Sequence, residues 1–165
     1  MNLKRITVAA SAILVASGIA LASPGHKGHS HSHDQETEYG VPGDKNKPSR
    51  TIIVQMLESG QKMIFIPDVF VVSRGEQIRF VLRNVGAIEH EFVLGTKDEI
   101  NAHAEEMKKN PDMEHDDPQS KRLKAKENGE ILWRFTKAGE FEFACLIPGH
   151  RELGMHEKKV SLSSR

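Results

Sequence analysis

The stretch Phe141-Glu142-Phe143-Ala144-Cys145-Leu146-Ile147-Pro148-Gly149-His150-Arg151-Glu152-Leu153-Gly154-Met155 joins two patterns. Its first part alternates. Side chains along a strand point to opposite faces in turn, so Phe141, Phe143 and Cys145 fall on one side. Its second part reads Cys-x4-His-x4-Met, with a Pro-Gly turn between Cys145 and His150. A strand that ends in a thiol therefore runs into a loop carrying an imidazole and a thioether.

Working outward, the same period of two recurs upstream. Thr51–Leu57 is β-branched and apolar, Met63–Ile66 and Val69–Val72 flank Pro67-Asp68, and Ser73–Glu76 is a turn. Ile78, Phe80 and Leu82 alternate with Arg79, Val81 and Arg83, the pattern of a half-buried strand. His90–Leu94 makes another short strand after the turn at Asn84–Ala87, Ile131, Trp133 and Phe135 share a face, and Lys158–Leu162 reads as the last strand. Many short strands joined by Gly-containing turns predict an all-β antiparallel sandwich or barrel.

Residues 96–128 interrupt this scheme. They are dominated by charge, which argues against a core strand. Thr96-Lys97-Asp98-Glu99 fits a capping box; Ile100, His103, Ala104 and Met107 then share a helical face, and Asn110-Pro111 ends it. A short helix in a long surface insertion is the expectation.

The parity of the strands gives the chemistry. His90 shares a face with Phe92 and Leu94, and Cys145 shares one with Phe141 and Phe143, so both should point inward from two strands. A thiolate and two imidazoles, from His90, Cys145 and His150, form a trigonal set suited to both Cu(I) and Cu(II), and the Met155 thioether adds a weak axial contact. Taken singly, each residue has an ordinary structural explanation: a small buried hydrophobe for Cys145, a gap filler for Met155, a hydrogen-bonded core histidine for His90 or His150. Their order and shared direction favour the metal.

Composition narrows the function further. The 165-residue chain has 23 Lys+Arg, 23 Asp+Glu, nine His and one Cys. Zero net charge argues against a nucleic-acid binder, which needs a basic surplus to neutralise phosphates. One Cys excludes an internal disulfide framework and four-Cys zinc or iron–sulfur sites.

The N-terminus reads as an address. Lys4 and Arg5 precede an apolar run from Ile6 to Leu21, and Ala20-Leu21-Ala22 ends it with a small-x-small site. This is the layout of a secretory signal over residues 1–22. The run is shorter than the ~20 apolar residues of a spanning helix, and Ser23-Pro24-Gly25 breaks it, so no membrane span is expected after cleavage. The remaining chain would carry 21 basic against 23 acidic residues and work in the periplasm, where thiols oxidise. A buried, metal-bound thiolate explains an unpaired Cys there. Residues 23–49 follow as an expected disordered tail, poor in large apolar residues. It holds His26, His29, His31 and His33, a tract able to take up soft divalent metal.

From about Arg50 to the C-terminus the chain resembles the cupredoxins, the plastocyanin/azurin-type β-sandwich, and within them the periplasmic cupredoxins of bacterial copper tolerance. Asn84-Val85-Gly86 ahead of His90, then Cys145, Pro148, Gly149, His150 and Met155, carry the resemblance. It implies a Greek-key sandwich and one type 1 copper bound by His90, Cys145 and His150, with Met155 axial. It also implies one-electron exchange without catalysis by the protein alone. One departure stands beside the first ligand: many cupredoxins have a small polar residue there, often Asn, and this chain has Glu91. The pleat turns Glu91 away from His90, toward a second layer or the surface.

Further metal-binding groups are present in the insertion. His103 and Met107 lie one turn apart, and Met113 and His115 follow; a packing role for Ile100 and Met107 on the sandwich is favoured over a second copper site. His156 directly follows Met155. The expected activity is copper binding for tolerance, with a soluble electron carrier as the alternative. A monomer with a redox or copper-handling protein partner is expected; as an electron carrier it would dock that partner around His150, beside Leu146, Ile147, Pro148 and Leu153. An enzyme is not expected. There is no Gly-x-Ser-x-Gly elbow, and the His-x-His spacing needed for an oxygen-reducing copper cluster occurs only in the tail.

Overall fold

The computed structural model describes residues 36–111, 113, 117–137, 139–156 and 159–163, the last of these segments by its backbone alone. These residues form β1 (Gly40–Pro42), β2 (Arg50–Ser59), β3 (Lys62–Ile66), β4 (Val69–Ser73), β5 (Gln77–Asn84), β6 (His90–Gly95), α1 (Lys97–Lys109), β7 (Ser120–Leu123), β8 (Asn128–Phe135), β9 (Glu140–Ala144) and β10 (Lys159–Ser163). The expected signal segment 1–22, the histidines of the tail and His115 lie outside the described residues.

The strands make two five-stranded sheets, in the orders β1-β8-β5-β2-β3 and β4-β10-β9-β6-β7. Neither sheet closes on itself, so the architecture is a sandwich rather than a barrel. The pairing departs from the all-antiparallel expectation at two places. β2 runs parallel to β5, with Ile52 opposite Phe80, and β10 runs parallel to β4. Consecutive strands that change sheets, rather than folding back as hairpins, bring these parallel pairs together.

The period of two explains the core. Ile52, Val54 and Met56 of β2 and Ile78, Phe80 and Leu82 of β5 face Phe70, Val72, Phe92, Leu94, Phe141 and Phe143 of the other sheet, all buried. Aromatic rings bridge the two layers: Phe80 lies 5.4 Å from Phe92, and Phe65 packs edge-on against Phe143 at 5.1 Å between centroids. Each such side chain contributes about 1.5–3 kcal/mol by leaving water.

Two boundaries differ from the expectation. The folded domain begins well before Arg50. Tyr39 is buried, its hydroxyl donates to the Leu94 carbonyl at 2.9 Å, and its ring packs on Trp133 and Phe141. β1 pairs with β8, and the Gln77 side chain both accepts from the Asp44 amide at 2.7 Å and donates to its carbonyl at 3.0 Å. One tyrosine in a polar stretch thus recruits residues 36–49 into the fold. The charged insertion also contains a strand: β7 pairs with β6, placing Leu123 in the core opposite His90. Ser-Lys-Arg-Leu shows no alternation, so only pairing reveals it.

The helix forms where expected. Thr96 accepts from the Glu99 amide and Glu99 reaches back to the Thr96 amide at 2.8 Å. Acidic residues in its first turn and lysines in its last suit the helix dipole. Ile100 and Met107 are buried against Val93, Ala144 and Leu146, so α1 covers the outer face of β6 and β9. No helix among the described residues is long and apolar enough to cross a membrane.

Candidate metal centre

Three of the expected ligands converge at one end of the sandwich. His90 opens β6, Cys145 follows the last residue of β9, and His150 sits in the loop beyond it. Their ligand atoms lie within 4.8 Å of one another, the one such cluster of His, Cys and carboxylate groups among the described residues. His90 Nδ1 is 3.3 Å from His150 Nδ1, and the Cys145 Sγ is 3.3 Å from the same His150 nitrogen. An ion about 2 Å from each imidazole nitrogen fits between atoms so spaced.

The loop is held by its own backbone. The Cys145 amide donates to the Met155 carbonyl at 3.0 Å and the Met155 amide to the His150 carbonyl at 3.1 Å, so the Cys-x4-His-x4-Met segment closes on itself. The His150 amide donates to the Ile147 carbonyl at 3.0 Å across the Pro-Gly turn. Gly149 has φ of 90°, a left-handed conformation that a side chain would strain. Met155 is fully buried beneath the loop and belongs to the main core. His90 and Cys145 are also fully buried, whereas His150 retains 9% exposure and is the ligand nearest solvent.

Burial sets the protonation of the donors. It pushes the Cys145 thiol up to about 12, against the amide N–H groups of Glu91 and Ile147 that favour the thiolate. The Glu91 amide lies 3.3 Å from the sulfur. Burial also lowers both histidines below their ordinary value; Glu58 opposes this at His90, and the neighbouring His90 reinforces it at His150. Burial therefore favours neutral imidazoles and a protonated thiol in the metal-free cluster. A bound cation must displace the thiol proton, which only a thiophilic ion does readily.

Of its two expected placements, Glu91 takes the layer behind the first ligand. Its side chain does turn away from His90, but it is 1% exposed rather than at the surface. Burial pushes its carboxyl up to about 7, with Arg122 and the Leu146 amide acting in the opposite sense. The Leu146 contact ties β6 to the residue after Cys145. Arg122 of β7 also pairs with Glu89 at 2.7 Å. The link that a small amide would make is made here by a carboxylate under the insertion.

Among the described residues, the remaining metal-binding groups do not assemble into a second centre. Met107 is buried among Ile100, Ala144 and Leu146, and Met113 packs against the same cluster, a packing role for both. His103 is half-buried on α1 and His156 is exposed. Of the apolar residues expected beside His150, Leu146 is buried under α1, whereas Pro148 and Leu153 are exposed and Ile147 is half-buried. Sequence reasoning missed Glu58, whose carboxylate accepts from His90 Nε2 at 2.9 Å. A glutamate near the end of an alternating strand gives no sign that it will meet a loop thirty residues on.

Two facing sheets with a buried thiol and two imidazoles at one end define a cupredoxin, and the donor set fits a type 1 copper site. The chain belongs to the plastocyanin/azurin family of copper-binding proteins, whose model matches residues 52–162. It is 55% identical over 130 residues to the copper-resistant cuproprotein CopI of Rubrivivax gelatinosus, covering 79% of this chain and 77% of that one. It is 34% identical over 119 residues to the protein of that name from Vibrio cholerae serotype O1, covering 72% and 69%. Among solved structures it is similar in fold to auracyanin B, with a TM-score of 0.61 at 20% identity over 77% of this chain and 99% of that one.

Proposed function

We propose that this protein is a periplasmic type 1 copper protein serving copper tolerance, with His90, Cys145 and His150 as equatorial ligands and Met155 as a weak axial one. The observation that carries the proposal is the convergence of three buried ligand atoms within 4.8 Å at the end of the sandwich. The 55% identity to a copper-resistant cuproprotein supports the physiological role. The basic, apolar and small-residue layout of residues 1–22 supports export.

Bound copper would supply one-electron exchange between its cuprous and cupric states. The chain's own residues do the rest. His90 and His150 offer neutral nitrogens, and Cys145 gives up its proton and offers a thiolate toward which the Glu91 amide points. Phe92 and Phe143, two residues along the same strand faces from His90 and Cys145, join the donors to the buried apolar core. Ligands anchored on two strands and a closed loop cannot rearrange freely, which keeps small the reorganisation that accompanies a change of oxidation state. The copper-binding family and the relatives named as copper-resistant cuproproteins support a binding protein rather than an enzyme. The 9% exposure that His150 keeps, in a loop whose Pro148 and Leu153 are exposed, favours a second reading as a dedicated electron carrier that docks a redox partner at this loop.

Cu(II) titration of the purified protein, followed by visible absorption and EPR, tests the centre. An intense thiolate-to-copper band at one equivalent, abolished in Cys145→Ser, is expected; a colourless complex would sink the proposal. Deleting residues 23–35, upstream of β1, should preserve that band and reduce total copper bound. Loss of copper tolerance in cells expressing only Cys145→Ser would support the tolerance role. Unchanged tolerance with impaired respiratory electron flow would favour the carrier.

A further inference from the structure

Glu58 stands next to the last position of β2, on the opposite sheet from His90. Its Oε1 accepts from His90 Nε2 at 2.9 Å and from the Ile88 amide at 3.2 Å, and its Oε2 accepts from the Ala87 amide at 2.8 Å. The turn that receives it is shaped to do so. A Cβ on Gly86 would fall 2.6 and 2.8 Å from the two carboxylate oxygens, so only glycine leaves room for the carboxylate. Asn84 fixes the same turn, accepting from the Gly86 amide at 3.0 Å and donating to the carbonyls of Ile88, Leu123 and Lys124. The amides of Val85 and Gly86 both donate to the Met56 carbonyl, two residues before Glu58. The two ring nitrogens of His90 thus have different neighbours: Nδ1 faces His150, and Nε2 faces a carboxylate.

We propose that Glu58 is a positioning residue of the copper centre, which fixes His90 with its proton on Nε2 and biases the bound metal toward Cu(II). The proposal rests on the reading of His90 as a ligand. The tautomer follows from geometry, because an acceptor at Nε2 holds the proton there and leaves the Nδ1 lone pair free for the metal. The bias follows from charge. A carboxylate draws on the N–H bond more strongly than a neutral carbonyl does, making the imidazole a stronger donor. The harder, more highly charged Cu(II) gains more from that donor, and from a nearby negative charge, than Cu(I) does. Glu58 also braces the 86–88 turn, so the test must separate the electronic role from the structural one.

The first measurement needs no copper. In apo-protein labelled with 15N-histidine, the ring nitrogen shifts of His90 should report the Nε2–H tautomer; the Nδ1–H tautomer would overturn the proposal. The second compares Glu58→Gln, which can keep an acceptor but loses the charge, with the wild type in competition titrations for each oxidation state. Cu(II) affinity should fall at least about tenfold, with a smaller loss for Cu(I). Each tenfold change in that ratio raises the one-electron potential by about 59 mV. Equal losses in both states would reduce Glu58 to a structural brace, and no loss would remove it from the centre; either outcome overturns the bias. Should Glu58→Gln fail to fold, the tautomer measurement on the wild type still decides the positioning role. The same competition titrations on Glu58→Asp, whose shorter side chain withdraws the carboxylate from Nε2, then decide the bias. Failure of the ligand reading itself would appear separately, as the absence of the thiolate-to-copper band in the wild type.

Discussion

Strand β6 is buried on both faces, and the two faces are built from different material. The inner face presents His90, Phe92 and Leu94 to the core shared by the two sheets. The outer face presents Glu91 and Val93, covered by α1, Leu146 and the region of Arg122. A sandwich strand ordinarily shows water a polar outer face. Here the charged insertion, with its capped helix and its short strand β7, covers that face as a second, smaller core. The inner face therefore carries the metal chemistry, while the outer one shields the backbone from which the ligands project. An insertion rich in charge at the level of sequence is, at the level of packing, a roof held by a few apolar residues.

Substitutions on the two faces test this division. Phe92→Ala, on the inner face, should cost the apo-protein about 3–5 kcal/mol in chemical denaturation, because its ring packs against Phe65, Phe80 and Phe143. It should also weaken copper binding, since Phe92 shares its face with His90. Met107→Ala, on the outer side, should cost about 2 kcal/mol, the low end for burying a methionine, because its cluster is smaller and lies under a surface helix. It should leave the visible and EPR spectra of the copper form unchanged. A Met107→Ala spectrum shifted as far as that of Phe92→Ala would mean that the roof belongs to the centre after all, and would break the comparison. Thr96→Ala, which removes one half of the capping box, should cost about 1 kcal/mol, read as a small loss of unfolding free energy with no change in copper stoichiometry. A loss of copper in this variant would show that the helix positions the ligands rather than merely covering them.

How much of this was legible beforehand differs by region. Alternation and β-branched apolar runs located β2 to β6, β8 and β9 to within a few residues, because each buries at least one face in a common core. The capping box announced α1, because its reciprocal bonds are local in sequence. β1 and β7 were not visible. Tyr39 and Leu123 are single buried residues within polar stretches, and a single residue has no period. Glu58 and the burial of Glu91 were equally hidden, since each depends on a partner brought near only by the fold: His90 and Gly86 for the first, Leu146 and Arg122 for the second.

The amino-acid sequence by itself determined that strands of period two would pack as a sandwich or a barrel and that Cys145, His150 and Met155 would share one loop. Both are matters of short-range spacing: side-chain parity along a strand and the reach of a four-residue gap. Tertiary structure alone decided that His90 meets that loop, that Glu58 stands behind His90, and that the charged insertion becomes a roof. Of those pairings, Glu58 and His90 are 32 positions apart in the chain, and His90 and His150 are 60 apart. Burial makes each of them consequential: in an apolar core an imidazole must find an acceptor, a carboxylate must find donors, and which ones they find depends on which strands the two sheets place side by side.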